Sequence, residues 1–100
     1  MLNQVVIVGR VVKYQNKENE TTMTLACPRS FKNTDGKYDT DLIKITIAGY
    51  VAEKTMEYCG KGDVIGIKGR IQQKGNGIEL IAEKVTFLST HKEDDNEEQN

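Results

Sequence analysis

The sequence predicts an all-β domain: a five-stranded barrel with one short α-helix between its third and fourth strands. Three observations predict it. The segments Asp39-Thr-Asp-Leu-Ile-Lys-Ile-Thr-Ile-Ala48 and Asp63-Val-Ile-Gly-Ile-Lys-Gly-Arg-Ile-Gln72 alternate apolar and polar side chains, the period-two signature of half-buried strands. Between them, Val51, Ala52, Thr55, Met56 and Cys59 recur at helical spacing. Turn-forming clusters punctuate the rest, above all Asn33-Thr-Asp-Gly36 and Gly75-Asn-Gly77.

The first strand is expected from about Asn3 to Tyr14, with Val6, Val8 and Val11 inward and Gly9 admitting a bulge where the phase changes. The polar run Gln15-Asn-Lys-Glu-Asn-Glu20 reads as a loop. A second strand follows from about Thr21 to Arg29, with Met23, Leu25 and Cys27 on one face and Thr22, Thr24 and Ala26 on the other. Pro28 has no amide proton to donate, which places it near the strand end or on an edge. The third strand runs from about Tyr38 to Ala48 with Ile43, Ile45 and Ile47 inward. The helix spans Tyr50 to Cys59, with Glu53 and Glu57 on its polar side and Gly60 as its stop. The fourth strand starts near Asp63, with Ile65, Ile67 and Ile71 in one phase, and the fifth covers about Ile78 to Leu88. Phe87 reads as core, and Tyr50 and Tyr58 as structural rings on or beside the helix. Five strands with a helix in this place is the order of the OB-fold, a partly open Greek-key barrel; an SH3-like barrel would not place a ten-residue helix here.

Composition narrows the function. One hundred residues suffice for one modest core, read as a single domain over residues 1–90. No apolar run is long enough to span a bilayer, and the N-terminal segment lacks the pattern of a signal peptide, so a cytosolic, nucleoid-associated place is expected. The net charge of −1 conceals an asymmetry. Residues 91–100 carry one lysine against five carboxylates and read as a disordered acidic tail, which leaves residues 1–90 mildly basic. Cys27 and Cys59 lack the spacing and the histidine neighbours of a metal site and read as buried free thiols. No nucleophile–base pair or glycine-rich phosphate motif is recognisable, and His91 lies in the tail, so neither an enzyme nor a cofactor is expected.

The alternating strands put Lys44, Thr46, Lys68 and Arg70 outward, giving a wet, cationic sheet surface suited to a single nucleic-acid strand. Arg29 and Lys32 bracket Phe31, an interleaving of cation and ring that a groove tracking such a strand needs. Phe31 is the first candidate for stacking on a base, Tyr38 the second, and Tyr14 a third. Arg10, Arg29, Lys32, Lys44, Lys68, Arg70 and Lys74 are the candidate phosphate contacts; Leu42 and Thr46 share Lys44's outward phase. Strand 1 is apolar on both phases (Val5, Val6, Ile7, Val8), so its outer side could pack on another subunit.

Five blocks of sequence carry a resemblance. Met1-Leu-Asn-Gln-Val-Val-Ile-Val-Gly-Arg10, Leu25-Ala-Cys-Pro-Arg-Ser-Phe-Lys-Asn33, Ala52-Glu-Lys-Thr-Met-Glu-Tyr-Cys59, Lys61-Gly-Asp-Val-Ile-Gly-Ile-Lys-Gly-Arg70 and Ala82-Glu-Lys-Val-Thr-Phe-Leu88 together resemble bacterial single-stranded DNA-binding protein. The resemblance implies an OB-fold, sequence-tolerant binding of single-stranded DNA in replication, recombination or repair, and a homo-oligomer, commonly a tetramer. The chain also departs from that family. It has no tryptophan, Leu42 and Ala48 stand where the family carries aromatics, and the hairpin between strands 4 and 5 shrinks to Lys74-Gly-Asn-Gly77. The acidic tail lacks the apolar tip with which the family recruits replication and repair partners. Weaker and more salt-sensitive binding than that of a tryptophan-bearing relative is expected. The rival reading is an OB-fold assembly module that has lost strong DNA binding.

Overall fold

The structure, a computed structural model, describes residues 1–89. The expectation of a disordered tail over residues 91–100 lies outside the described residues. The elements run β1 (Val5–Lys17), β2 (Glu20–Lys32), β3 (Tyr38–Ala48), α1 (Gly49–Tyr58), β4 (Val64–Lys74) and β5 (Gly77–Ser89). The strands close a barrel in the order β1-β2-β3-β5-β4, antiparallel except where β3 meets β5 through the single parallel pair Thr46 and Ile81. The expected fold, a five-stranded barrel with its helix between strands 3 and 4, is the one found. No helix among the described residues is long and apolar enough to cross a membrane.

The inward phases build one core. Val11, Met23, Leu25, Ile45, Ile47, Ile65 and Ile67 are buried together, and Ala52 and Cys59 close it from α1 and the loop that follows. The helix packs against β2, β3 and β5. Its buried Thr55 donates its hydroxyl to the Val51 carbonyl at 2.7 Å, which satisfies that polar group inside the core.

The structure corrects the expectation for strand 1. Val6 and Val8 point outward, and Val5, Ile7, Gly9 and Val11 form the inward phase. Gly9 is inward because a Cβ there would stand 2.7 Å from the Cys27 sulfur and 2.9 Å from the Ala26 carbonyl oxygen. The phase therefore runs unbroken through Gly9, and the register shift comes later, between Val11 and Lys13. The expected loop from Gln15 to Glu20 is likewise strand almost throughout. Gln15, Asn16 and Lys17 pair with Thr22, Thr21 and Glu20, and the chain reverses at Glu18-Asn19, where Asn19 adopts φ 64°. Asparagine tolerates that left-handed conformation better than most residues, so a short polar turn suffices.

Three further differences follow from where the barrel ends. β2 runs on to Lys32 as an arm paired with β3, so Phe31 sits in a strand rather than after one. Ile71 keeps the phase of Ile65 and Ile67 but lies beyond the core and is 36% exposed. Phe87 is 37% exposed rather than core, and its ring meets that of Tyr58 at 6.0 Å.

Candidate nucleic-acid interface

The ladder registers of β1, β2 and β3 set outward side chains in three cross-strand rows. They are Arg10–Ala26–Leu42, Lys13–Thr24–Lys44 and Gln15–Thr22–Thr46. Neighbouring strands lie about 4.8 Å apart, so the rows adjoin one another, with Thr24 buried at 5% exposure between Lys13 and Lys44. None of these nine positions is a carboxylate, and three are cations. A cleft of about 340 Å³ opens on this face, lined by Lys13, Tyr14, Gln15, Thr22, Thr24 and Lys44. The half-buried Thr22 hydroxyl, the Gln15 amide, a partly exposed ring and two ammonium groups there offer a nucleotide strand hydrogen bonds, a stacking plane and phosphate partners.

Beyond the barrel, the β2–β3 arm extends the same surface. Tyr38, Thr40, Leu42, Lys44 and Thr46 are alternate residues of β3 and share one face. Tyr38 is 57% exposed, and the Lys32 ammonium lies 5.9 Å from the centre of its ring, a cation–π pair across the two strands. Leu42 and Phe31 are 65% and 63% exposed and so offer apolar surface to a base.

Of the residues singled out from the sequence, Arg10, Lys44, Leu42 and Thr46 fall on this face and Tyr38, Lys32 and Phe31 on its arm. The others are placed differently. Arg29 turns to Asp41, of the opposite β3 phase, with Nε and Nη2 donating to its two carboxylate oxygens at 3.0 and 2.9 Å. Asp39 lies 3.7 Å from the same guanidinium. The pair holds the Asp41 carboxyl below its ordinary range, chiefly through the hydrogen bonds from Arg29. Lys68, Arg70 and Lys74 all lie on β4, which borders β1 and β5 but neither β2 nor β3. Lys68 sits between Val6 and Lys84, away from the Lys44 row. The single basic sheet face expected from Lys44, Thr46, Lys68 and Arg70 is therefore two surfaces, because closure of the barrel wraps β4 round to another wall.

Arg70 and Lys74 approach Thr46 through a hydrogen-bond chain instead. Glu79 accepts from Thr46 Oγ1 at 2.9 Å, from Gln72 Nε2 at 3.2 Å and from Lys74 Nζ at 3.4 Å, and Gln72 in turn accepts from Arg70. The Thr46 hydroxyl foremost, then Lys74 and Gln72, lower the Glu79 carboxyl against partial desolvation. Arg70 is also paired to Glu83 at 3.0 Å, and Arg10 donates to the Gly62 carbonyl at 2.6 Å. Sequence reasoning missed Lys13, Gln15, Thr22 and Thr24 as members of the face. The outward threonines were visible as a period-two phase, whereas Lys13 and Gln15 were concealed by the bulge at Val12.

Among the described residues no group of three or more His, Cys, Asp or Glu could hold a metal ion. Cys59 is buried, and desolvation foremost, with the nearby Asp63 charge, pushes its thiol up to about 11. Cys27 is half-buried and shifted upward for the same first reason.

Comparison with known proteins finds relatives along most of the chain. The chain is similar to single-stranded DNA-binding protein 1 of Clostridium acetobutylicum, 34% identical over 108 residues that cover 92% of this chain and 98% of the relative. It is also similar to single-stranded DNA-binding protein B of Bacillus subtilis, 35% identical over 103 residues covering 88% and 91% of the two chains. Its fold matches the crystal structure of the mitochondrial single-stranded DNA-binding protein Rim1 of S. cerevisiae with a TM-score of 0.69 at 20% identity, over 90% of this chain and 99% of that one. Residues 2–88 match the profile of the single-strand binding protein family, so the chain belongs to that family.

Proposed function

We propose that this protein binds single-stranded DNA with little regard to sequence, the strand lying across the outer face of β1, β2 and β3 and along the β2–β3 arm. The observation that carries this reading is the set of three cross-strand rows free of carboxylates, flanked by exposed rings. Each base can stack on a ring because every base has a π-face, and each ammonium can replace a phosphate counterion. Tyr14, Phe31 and Tyr38 supply the rings; Arg10, Lys13, Lys32 and Lys44 supply the cations. Family membership favours this reading over an assembly module that has lost DNA. The work is that of a binding module acting on cytosolic DNA in replication, recombination or repair.

Rings are few, so cations carry a large share of the affinity. Four phosphate contacts predict a log–log salt slope of about −2.8 for a single strand. Titration of a labelled oligothymidylate at several salt concentrations measures it. A slope near zero, or tighter binding to duplex than to the single strand, contradicts the reading.

The same proposal includes self-association through the adjoining wall, where β1 pairs with β4 and β4 with β5. Val6 and Val8 are 70% and 54% exposed, and Leu88 of β5 is 53% exposed. Val8 and Leu88 both border Gly66, which has no side chain to interrupt the patch. A second copy would cover these apolar groups and leave the β1–β3 face open. Light scattering on wild type and Val6→Lys tests it: an oligomer that the charge disperses is expected.

A further inference from the structure

β2 and β3 lose their regular register at one place. Pro28 pairs with Thr40 and Lys32 with Tyr38, so Arg29, Ser30 and Phe31 all face the single residue Asp39. The segment that carries Phe31 is thus a bulge with no ladder partner of its own. Side chains fix it instead. Arg29 closes two hydrogen bonds on Asp41 and lies 3.7 Å from Asp39. From the turn side, Asn33 Nδ2 donates to Asp39 at 3.0 Å, while Asn33 Oδ1 accepts from the amides of Asp35 and Lys37 at 2.8 and 3.0 Å. The bulge is clamped at both ends onto the strand opposite.

We infer that Arg29 is a positioning residue: its fork on Asp41 and Asp39 fixes the bulge that presents Phe31 to a base, and it does not itself neutralise a phosphate. The inference rests on the reading of the protein as a binder of single-stranded DNA. A guanidinium whose charge is already opposed by two carboxylates, and whose Nε–Nη2 edge is occupied, gains little from a phosphate. A bidentate pair, by contrast, defines an orientation, which an ammonium could not. The carboxylates share the burden, since without the arginine they would stand on the arm as bare negative charge.

Asp41→Asn gives the inference a test of sign. Electrostatics alone, or competition between Asp41 and DNA for Arg29, makes D41N bind more tightly, because a negative charge is removed. Positioning makes it bind more weakly, by about five- to tenfold in oligothymidylate titrations, part of the value of one stacked ring. That loss should vanish in the Phe31→Ala background, where F31A/D41N binds as F31A does. Arg29→Gln should leave the salt slope unchanged, whereas Lys44→Gln should flatten it by about 0.7. The reversed pair R29D/D41R should recover part of the affinity. Tighter binding by D41N, an equal loss in the F31A background, or a flattened slope for R29Q overturns the inference while the DNA-binding reading stands. Absence of binding by the wild-type chain overturns both.

Discussion

Phe31 and Lys44 illustrate the two kinds of contact the proposed interface uses. Phe31→Ala should weaken oligothymidylate binding by about 1–3 kcal/mol with little change in salt slope, because stacking moves no counterion. An unchanged affinity in that titration would remove the ring from the interface. Both residues could be named from the sequence, Phe31 by its flanking cations and Lys44 by its strand phase. Arg29 could be named but its role could not be read. Charge and spacing say where an arginine lies along the chain, and only the pairing of Cys27 with Asp41 reveals which carboxylates stand within its reach. The thiols make a separate prediction at this scale. Cys59, buried and raised to about 11, should resist a thiol reagent at neutral pH until the barrel unfolds, and Cys27, half-buried, should react first. Stopped-flow labelling of the C27S and C59S variants would distinguish them; rapid labelling of Cys59 in the native protein would contradict its burial.

Strand pairing, and not hydropathy, sets the inward phase of β1. Apolar residues occupy both phases of Val5–Val8, so hydropathy alone could not tell the core side from the outside. The decisive residue is Gly9, which must face Cys27 because nothing larger fits. Gly69 makes the same argument for β4, where a Cβ would run into the backbone carbonyl of Ile81. Gly69→Ala should therefore destabilise the fold by about 3 kcal/mol or more, measured as a lower denaturation midpoint. A midpoint within error of wild type would mean that β4 and β5 can part there without cost. The thin β3–β5 seam, a single parallel pair, leans on Glu79, whose pKa is lowered from 4.5 by Thr46 first and by Lys74 and Gln72 after it. A carboxyl depressed by folding contributes stability that is present above its ordinary value and lost as pH falls through the folded one. Wild type should thus exceed Glu79→Gln in stability at neutral pH, with the gap narrowing as pH drops below about 4.5. A gap that is constant down to acid pH would show that the charge of Glu79 plays no part.

The whole molecule divides its outer wall by chemistry: a cationic, hydroxyl-rich face on β1–β3, an apolar patch of Val6, Val8 and Leu88, and a polar hairpin bracing the seam between β3 and β5. Element order alone was enough to recognise the barrel, since five alternating segments and one amphipathic helix leave few ways to close a core of this size. Which strands face the same way was not legible. Lys68 and Arg70 share the sequence pattern of Lys44 and Thr46, yet ring closure carries β4 to another wall. Which wall the DNA occupies is therefore decided by mapping. Titrating isotope-labelled protein with oligothymidylate and following backbone amide shifts should perturb Thr22, Thr24, Leu42, Lys44 and the arm around Phe31, and leave Val6, Val8 and Lys68 unmoved. Shifts concentrated along β1 and β4 around Val6 and Lys68, with the Lys44 row silent, would contradict it.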